Sequence, residues 1–235
     1  QQVLKLMLPA LFGSSVAQVN LLIDTLLASF LVTGSVSWLY YSDRLVEFPL
    51  GLFGAALGTV ILPNLSRHHA ADSPERFSQT LDWGLRWTLL IGLPATVALA
   101  ILAGPMLAAL FQYGKFGPED VYMAARSLTA LSLGLLAFML VKVLAPGFYA
   151  RQDTRTPVRY GLIATGANTA MTLILIWPLA HAGLALSTSL ASFLNAGMLL
   201  YGLHRNGIYH PARGWPRFLW QVGVANLAMG VLLWW

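Results

Sequence analysis

Apolar residues fill most of this chain, and the polar ones divide it into segments. A helix needs about 20 mainly apolar residues to cross a bilayer. Runs of that kind cover 3–32, 36–62, 83–102, 121–144, 158–179 and 183–203, and a seventh follows 217 and is still apolar at Trp235. Thr33-Gly34-Ser35 predicts a tight turn, and Gly104-Pro105 a break before a short apolar re-entry at 106–111. Pro118, with Glu119 and Asp120 after it, predicts a helix start, because proline has no first-turn N–H to leave unpaired and acids suit the positive end of the helix dipole. The polar stretch 64–86 predicts an amphipathic surface helix, N-capped by Ser73 and leading into the next span. Residues 145–159 read as a compact basic loop.

The fold class expected is therefore all-α, a polytopic membrane bundle. Residues 1–205 form a six-helix lobe, and 206–235 a basic loop with a truncated following span. The chain opens on Gln and stops inside an apolar run, so it is expected to be a piece of a longer polytopic protein.

Composition agrees with this picture. Only 10% of residues are charged and mean hydropathy is +0.66, against a quarter charged in an ordinary soluble domain. Eight tryptophans suit interfacial belts. The absence of cysteine removes disulfides and thiolate metal sites. The net charge of +5 points to anionic membrane lipids and not to nucleic acid, since the basic residues sit between apolar spans. Alternating the spans gathers Lys5, Arg67, Arg76, Arg86, Arg151, Arg155, Arg159, Arg205, Arg213 and Arg217 on one side, with Lys142 at its edge. Lys115 and Arg126 fall on the other. The positive-inside rule then places residue 1 in the cytoplasm and the 33–35 turn outside.

Charges inside the spans carry the chemistry. Asp43, Arg44 and Glu47 lie about two turns into the second span, at spacings that let them share a helix face. Charged groups in hydrocarbon cost roughly 2.5–3.5 kcal/mol each on insertion scales, so they persist where they meet a cavity, a partner or a substrate. An arginine between two carboxylates is held in place and still offers donors to phosphate. An interfacial ion pair that anchors a helix end is the alternative. Pro49 predicts a kink just beyond this cluster, and Gly54-x-x-x-Gly58 a small-residue packing face. Asp24 lies deep in the first span, one turn after Asn20, and needs a proton, an arginine or a cation. Asn168 and Thr172 stand at i, i+4 in the fifth span, and Thr188 lies in the sixth.

Enzyme chemistry is not expected, because there is no Walker-type phosphate loop and no nucleophile–base pair. No cofactor is expected either, beyond sodium or a proton as coupling ion. Polar groups within helical spans argue for transport.

Particular strings sharpen this reading. GSVSWLYYSDRLVEFP over 34–49 with GTVILP over 58–63, LFQYGKF over 110–116 and KVLAPGFYARQDTRTP over 142–157 together resemble the MurJ/MviN family of bacterial lipid II flippases in the MOP exporter superfamily. The resemblance implies a fourteen-span protein built of two six-helix lobes and two further helices. This chain corresponds to the second lobe, spans seven to twelve, and most of span thirteen. Implied partners are lipid II, membrane lipids and an N-terminal lobe absent from this sequence; the implied location is the bacterial inner membrane. Arg44 would contact the substrate pyrophosphate, with Asp43 and Glu47 positioning it or taking part in the inward–outward switch. Asp24, Asn168, Thr172 and Thr188 occupy places like those of a sodium site found in some members. Thr172 stands where a second acid is expected, which leaves a proton or the membrane potential open. Alternatives are a flippase for another polyprenyl-linked glycan, a cation-coupled antiporter of the same superfamily, or a non-transporting scaffold of cell-wall assembly.

Overall fold

The computed structural model describes residue 18 and residues 22–234. Most of the predicted first span, with Asn20, lies outside the described residues. A helical segment, α1 (22–29), precedes the turn at Gly34. Then follow α2 (Ser35–Pro49), a π-helical turn (Leu50–Gly54), α3 (Ala55–Ala70), α4 (Pro74–Ile101), α5 (Ala103–Phe111), α6 (Pro118–Tyr149), α7 (Arg155–Leu179), α8 (His181–Arg205) and α9 (Trp215–Trp234). No strand occurs among the described residues. Six stretches are long and apolar enough to cross a membrane, counting Ser35–Ala70 as one. They match the predicted spans from the second to the seventh.

Several boundaries differ from the sequence reading. The expected surface helix and third span are one continuous helix, α4, so Ser73 starts a span. The Ser73 hydroxyl caps nothing on α4 and bonds the Ala71 carbonyl at 3.2 Å. The 145–159 loop shrinks to 150–154, because α6 runs through Pro146 to Tyr149. Phe148 is buried there, and a Cβ on Gly147 would stand 3.1 Å from Leu203, so this last turn is part of the core. Asp153 closes the shortened turn by accepting the N–H groups of Arg155 at 3.1 Å and Thr156 at 3.0 Å. The helix start at Pro118 is as expected: the Asp120 carboxylate accepts the Gly117 N–H at 2.8 Å. A π-helical turn stands directly after Pro49, where the sequence predicts a kink.

Helix α6 is the centre of the lobe, packing on α8, α4, α2, α5 and α3. Two apolar clusters fill its ends. One joins Ile61, Leu65, Leu81, Phe148 and Leu203; the other joins Trp38, Val46, Leu107, Leu128, Leu135 and Met139. Lipid is as apolar as leucine, so burial alone does not hold such helices together; close approach and interhelical hydrogen bonds do. One close approach is Gly134 of α6 against Ser189 of α8, where a Cβ would stand 2.8 Å from the serine Cα. Ser189 Oγ bonds the Ala130 carbonyl across the same contact at 2.7 Å.

Candidate functional site

The rotation of α2 decides what its charged residues face. Trp38, Ser42, Leu45, Val46 and Pro49 are buried against the bundle. Trp38 Nε1 donates to Asp120 Oδ1 of α6 at 2.8 Å, and its ring meets the His181 imidazole with centroids 4.9 Å apart. Ser42 Oγ lies 2.8 Å from the Ala124 carbonyl of α6. A Cβ on Gly34 would meet the Trp38 ring at 2.7 Å, and φ there is +107°, so the turn requires glycine. These ties fix the helix and turn its other side outward.

On that outward side stand Tyr40, Asp43, Arg44, Glu47 and Phe48, all exposed. Arg44 Nη1 donates to Glu47 Oε2 at 2.6 Å, and the guanidinium lies 4.8 Å from the Tyr40 ring centroid. Among the described residues Asp43 forms no ion pair with Arg44. Adjacent residues on a helix diverge, so Arg44 has one carboxylate partner, not the two that spacing allowed. With one edge engaged and its side chain 53% exposed, the guanidinium still presents donors for an anion. Tyr40 and Glu47 hold it in place.

Further along, the Gly54–Gly58 face lies against α6 at ordinary contact distance, with room for a Cβ at Gly58. Lys142 passes it, with its Cγ 3.7 Å from the position of a Cβ on Gly54 and its backbone carbonyl 3.8 Å from that on Gly58. Lys142 is exposed beside the π turn, where sequence placed it at a membrane edge.

The second group of candidates is partly brought together. Asn168 Nδ2 lies 3.4 Å from Asp24 Oδ2, joining α7 to α1. Thr172, one turn on and fully buried, points its hydroxyl at Ser187 Oγ of α8, 2.6 Å away. Thr188 bonds back to the Leu184 carbonyl of its own helix at 3.0 Å. Asp24 and Asn168 are thus adjacent, Thr172 is tied through Ser187, and Thr188 is turned to its own backbone. Ser187 was missed in the sequence, although Ser187-Thr188-Ser189 in an apolar span signalled hydroxyls at successive angles.

Asp82 falls in the stretch expected to be an amphipathic surface helix and is 5% exposed on α4. Its Oδ1 accepts from Trp215 Nε1 at 2.6 Å, Tyr209 Oη at 2.9 Å and the Ala212 N–H at 3.2 Å. Its Oδ2 accepts from Arg86 Nε at 2.7 Å. Burial and the adjacent carboxylate push the Tyr209 phenol above its ordinary range, so it remains a donor. No spacing rule links residue 82 to residues 209–215.

A helical lobe with ionisable groups inside its spans is the architecture of half a secondary transporter. The chain superposes on a crystal structure of MATE in the straight conformation with a TM-score of 0.72 and 20% identity, covering 97% of this chain and 52% of that one; this likeness concerns the fold alone. On lipid II flippase MurJ in an inward-closed conformation the TM-score is 0.85 at 26% identity, covering 97% of this chain and 47% of that one. The class is an all-helical membrane lobe with the fold of about half of each of these proteins.

The particular family follows from sequence. The family described as lipid II flippase MurJ matches residues 1–235. A probable lipid II flippase MurJ of Vibrio cholerae is 55% identical over 230 residues, 97% of this chain and 44% of that protein. Lipid II flippase MurJ of Burkholderia cenocepacia is 45% identical over 235 residues, 100% of this chain and 46% of that protein. The chain belongs to the lipid II flippase MurJ family and spans a little under half the length of these relatives.

Proposed function

We propose that this chain is the C-terminal lobe of a flippase that carries lipid II from the cytoplasmic to the outer leaflet of the bacterial inner membrane by alternating access. The observation that carries the reading is the Arg44–Glu47 pair, exposed within an apolar span on the side of α2 turned away from the core. Its guanidinium pairs with the substrate pyrophosphate, together with groups of the N-terminal lobe. Asp43 stands beside that contact, where a second anion can compete with phosphate for Arg44 as the lobes rock. Coupling uses sodium or a proton at the Asp24–Asn168 junction, with Thr172 and Thr188 on the neighbouring turns. Residue 1 is cytoplasmic, as the loop charges require. The protein binds and moves its substrate and makes or breaks no covalent bond in it.

The test joins this lobe to a matching N-terminal lobe in cells depleted of their own flippase and measures lipid II on the outer face. Arg44 is compared with Arg44→Lys and Arg44→Ala at equal expression. The expected result is rescue by the native chain and failure of both variants, because lysine supplies charge without the planar fork. Rescue by Arg44→Ala equal to native makes Arg44 a structural anchor and overturns the mechanism.

A further inference from the structure

A groove of about 410 Å³ runs between α3 and α4, within the roughly 300–1,000 Å³ that small-molecule sites usually span. It lies toward the end of the lobe that gathers the basic loops. Its floor is apolar, built on Ile61. Its walls carry a particular mixture: His68 and Asn64 from α3, Arg76 and Gln79 from α4, and the Trp83 indole. Among the described residues Arg76, His68 and Gln79 have no side-chain hydrogen bond or ion pair. The Asn64 amide donates to the Val60 carbonyl at 2.9 Å, which leaves its oxygen as an acceptor. Trp83 is 45% exposed, and Trp87 follows one turn on.

Each group has a matching chemistry. Guanidinium and imidazole on opposite walls suit a phosphate or pyrophosphate. A side-chain amide and a carbonyl oxygen suit hydroxyl and acetamido groups. An exposed indole offers a flat apolar face to a sugar ring. A glycerophospholipid head group such as phosphatidylglycerol would use the cations and could bring hydroxyls to the amides, but it has no sugar ring for the indole and no acetamido group. From this we infer that the groove is a separate capture site for a pyrophosphate-linked N-acetyl amino sugar on the side where the substrate enters, an inference that rests on the lipid II reading. It is distinct from the Arg44 contact. Residue 44 is 16–24 positions from the α3 wall, about 24–36 Å along a helix, too far for one pyrophosphate to touch both. The head group is held first between α3 and α4 and passes to Arg44 afterwards.

Photo-crosslinking in the full-length protein tests this. A benzophenone amino acid replaces Gln79 in the groove or, separately, Phe48 beside Arg44, in inner-membrane vesicles supplied with labelled lipid II. Capture is expected at both positions. Arg76→Ala combined with Trp83→Ala should cut capture at 79 about tenfold, the loss of one charge-assisted contact and one stacking face, and leave capture at 48 measurable. Since both side chains are exposed, the core is untouched, and capture at 48 reports that the variant is folded. Arg44→Ala should spare capture at 79. A short-chain prenyl pyrophosphate analogue carrying the amino sugar should compete at 79, and excess phosphatidylglycerol should not. Capture at 48 without capture at 79 overturns the groove alone. Competition by phosphatidylglycerol but not by the analogue assigns the groove to bulk lipid and also overturns it. Absence of capture at both positions removes the lipid II reading and the inference with it.

Discussion

Replacing Asp82 with alanine should loosen the start of α9. The carboxylate is the common acceptor for Trp215, Tyr209 and the Ala212 N–H, and it holds Arg86 in place. Arg86 in turn lies 5.3 Å from the Trp215 ring centroid and 5.6 Å from that of Phe218. Hydrogen bonds to a charged group contribute about 1.5–3 kcal/mol each. Two of these count in full, from Trp215 and from the buried Tyr209. The longer Ala212 contact is easily replaced by water, and the part-exposed Arg86 pair adds under about 1 kcal/mol. Against this sum stands the cost of burying a carboxylate, which the alanine variant no longer bears. The net loss is about 2–4 kcal/mol. Asp82→Asn keeps a neutral acceptor for the three donors but sets an NH₂ against Arg86 Nε, so it should lose about 1–2 kcal/mol. The assay is thermal unfolding of the full-length protein in detergent, with trypsin cleavage at Arg205 and Arg213 as a local readout. The expected order of stability is native, Asp82→Asn, Asp82→Ala, with cleavage rising in the same order. Native unfolding and cleavage in Asp82→Ala would refute the reasoning.

Two further substitutions test the packing. Gly134→Ala sets a methyl group against the Ser189 backbone, where neither helix can yield, and should destabilise by about 1–3 kcal/mol in a detergent melt. Ala180 joins α7 to α8 at φ +50°, a conformation costly for any residue with a Cβ, so Ala180→Gly should raise the melting temperature, a gain of about 1 kcal/mol.

Much of the lobe was legible in the sequence, because lipid imposes a strong and simple constraint. Backbone polar groups must be satisfied within each span, so an apolar run of sufficient length has to be helical. Charge asymmetry among the loops and the turn chemistry at Gly34 and Pro118 added order and boundaries. An irregularity near Pro49 was legible for the same reason, since a missing N–H acts within its own helix, and a π turn stands there. The boundaries that failed, at 64–86 and 145–159, lie where polar residues are carried on continuing helices: Asp82 is polar by composition yet buried by its partners.

Tertiary structure decided which side of each helix is covered. Spacing allowed Arg44 two carboxylates; the rotation of α2, fixed by Trp38 on Asp120 and Ser42 on Ala124, left it with Glu47 and turned the pair outward. Asp24 meeting Asn168, and Asp82 gathering Tyr209 and Trp215, join residues more than 120 positions apart. A sequence periodicity reports the environment of one helix relative to its own axis. Which neighbour supplies that environment depends on how the helices pack, and that depends on small contacts such as Gly134 against Ser189, which hydropathy does not register.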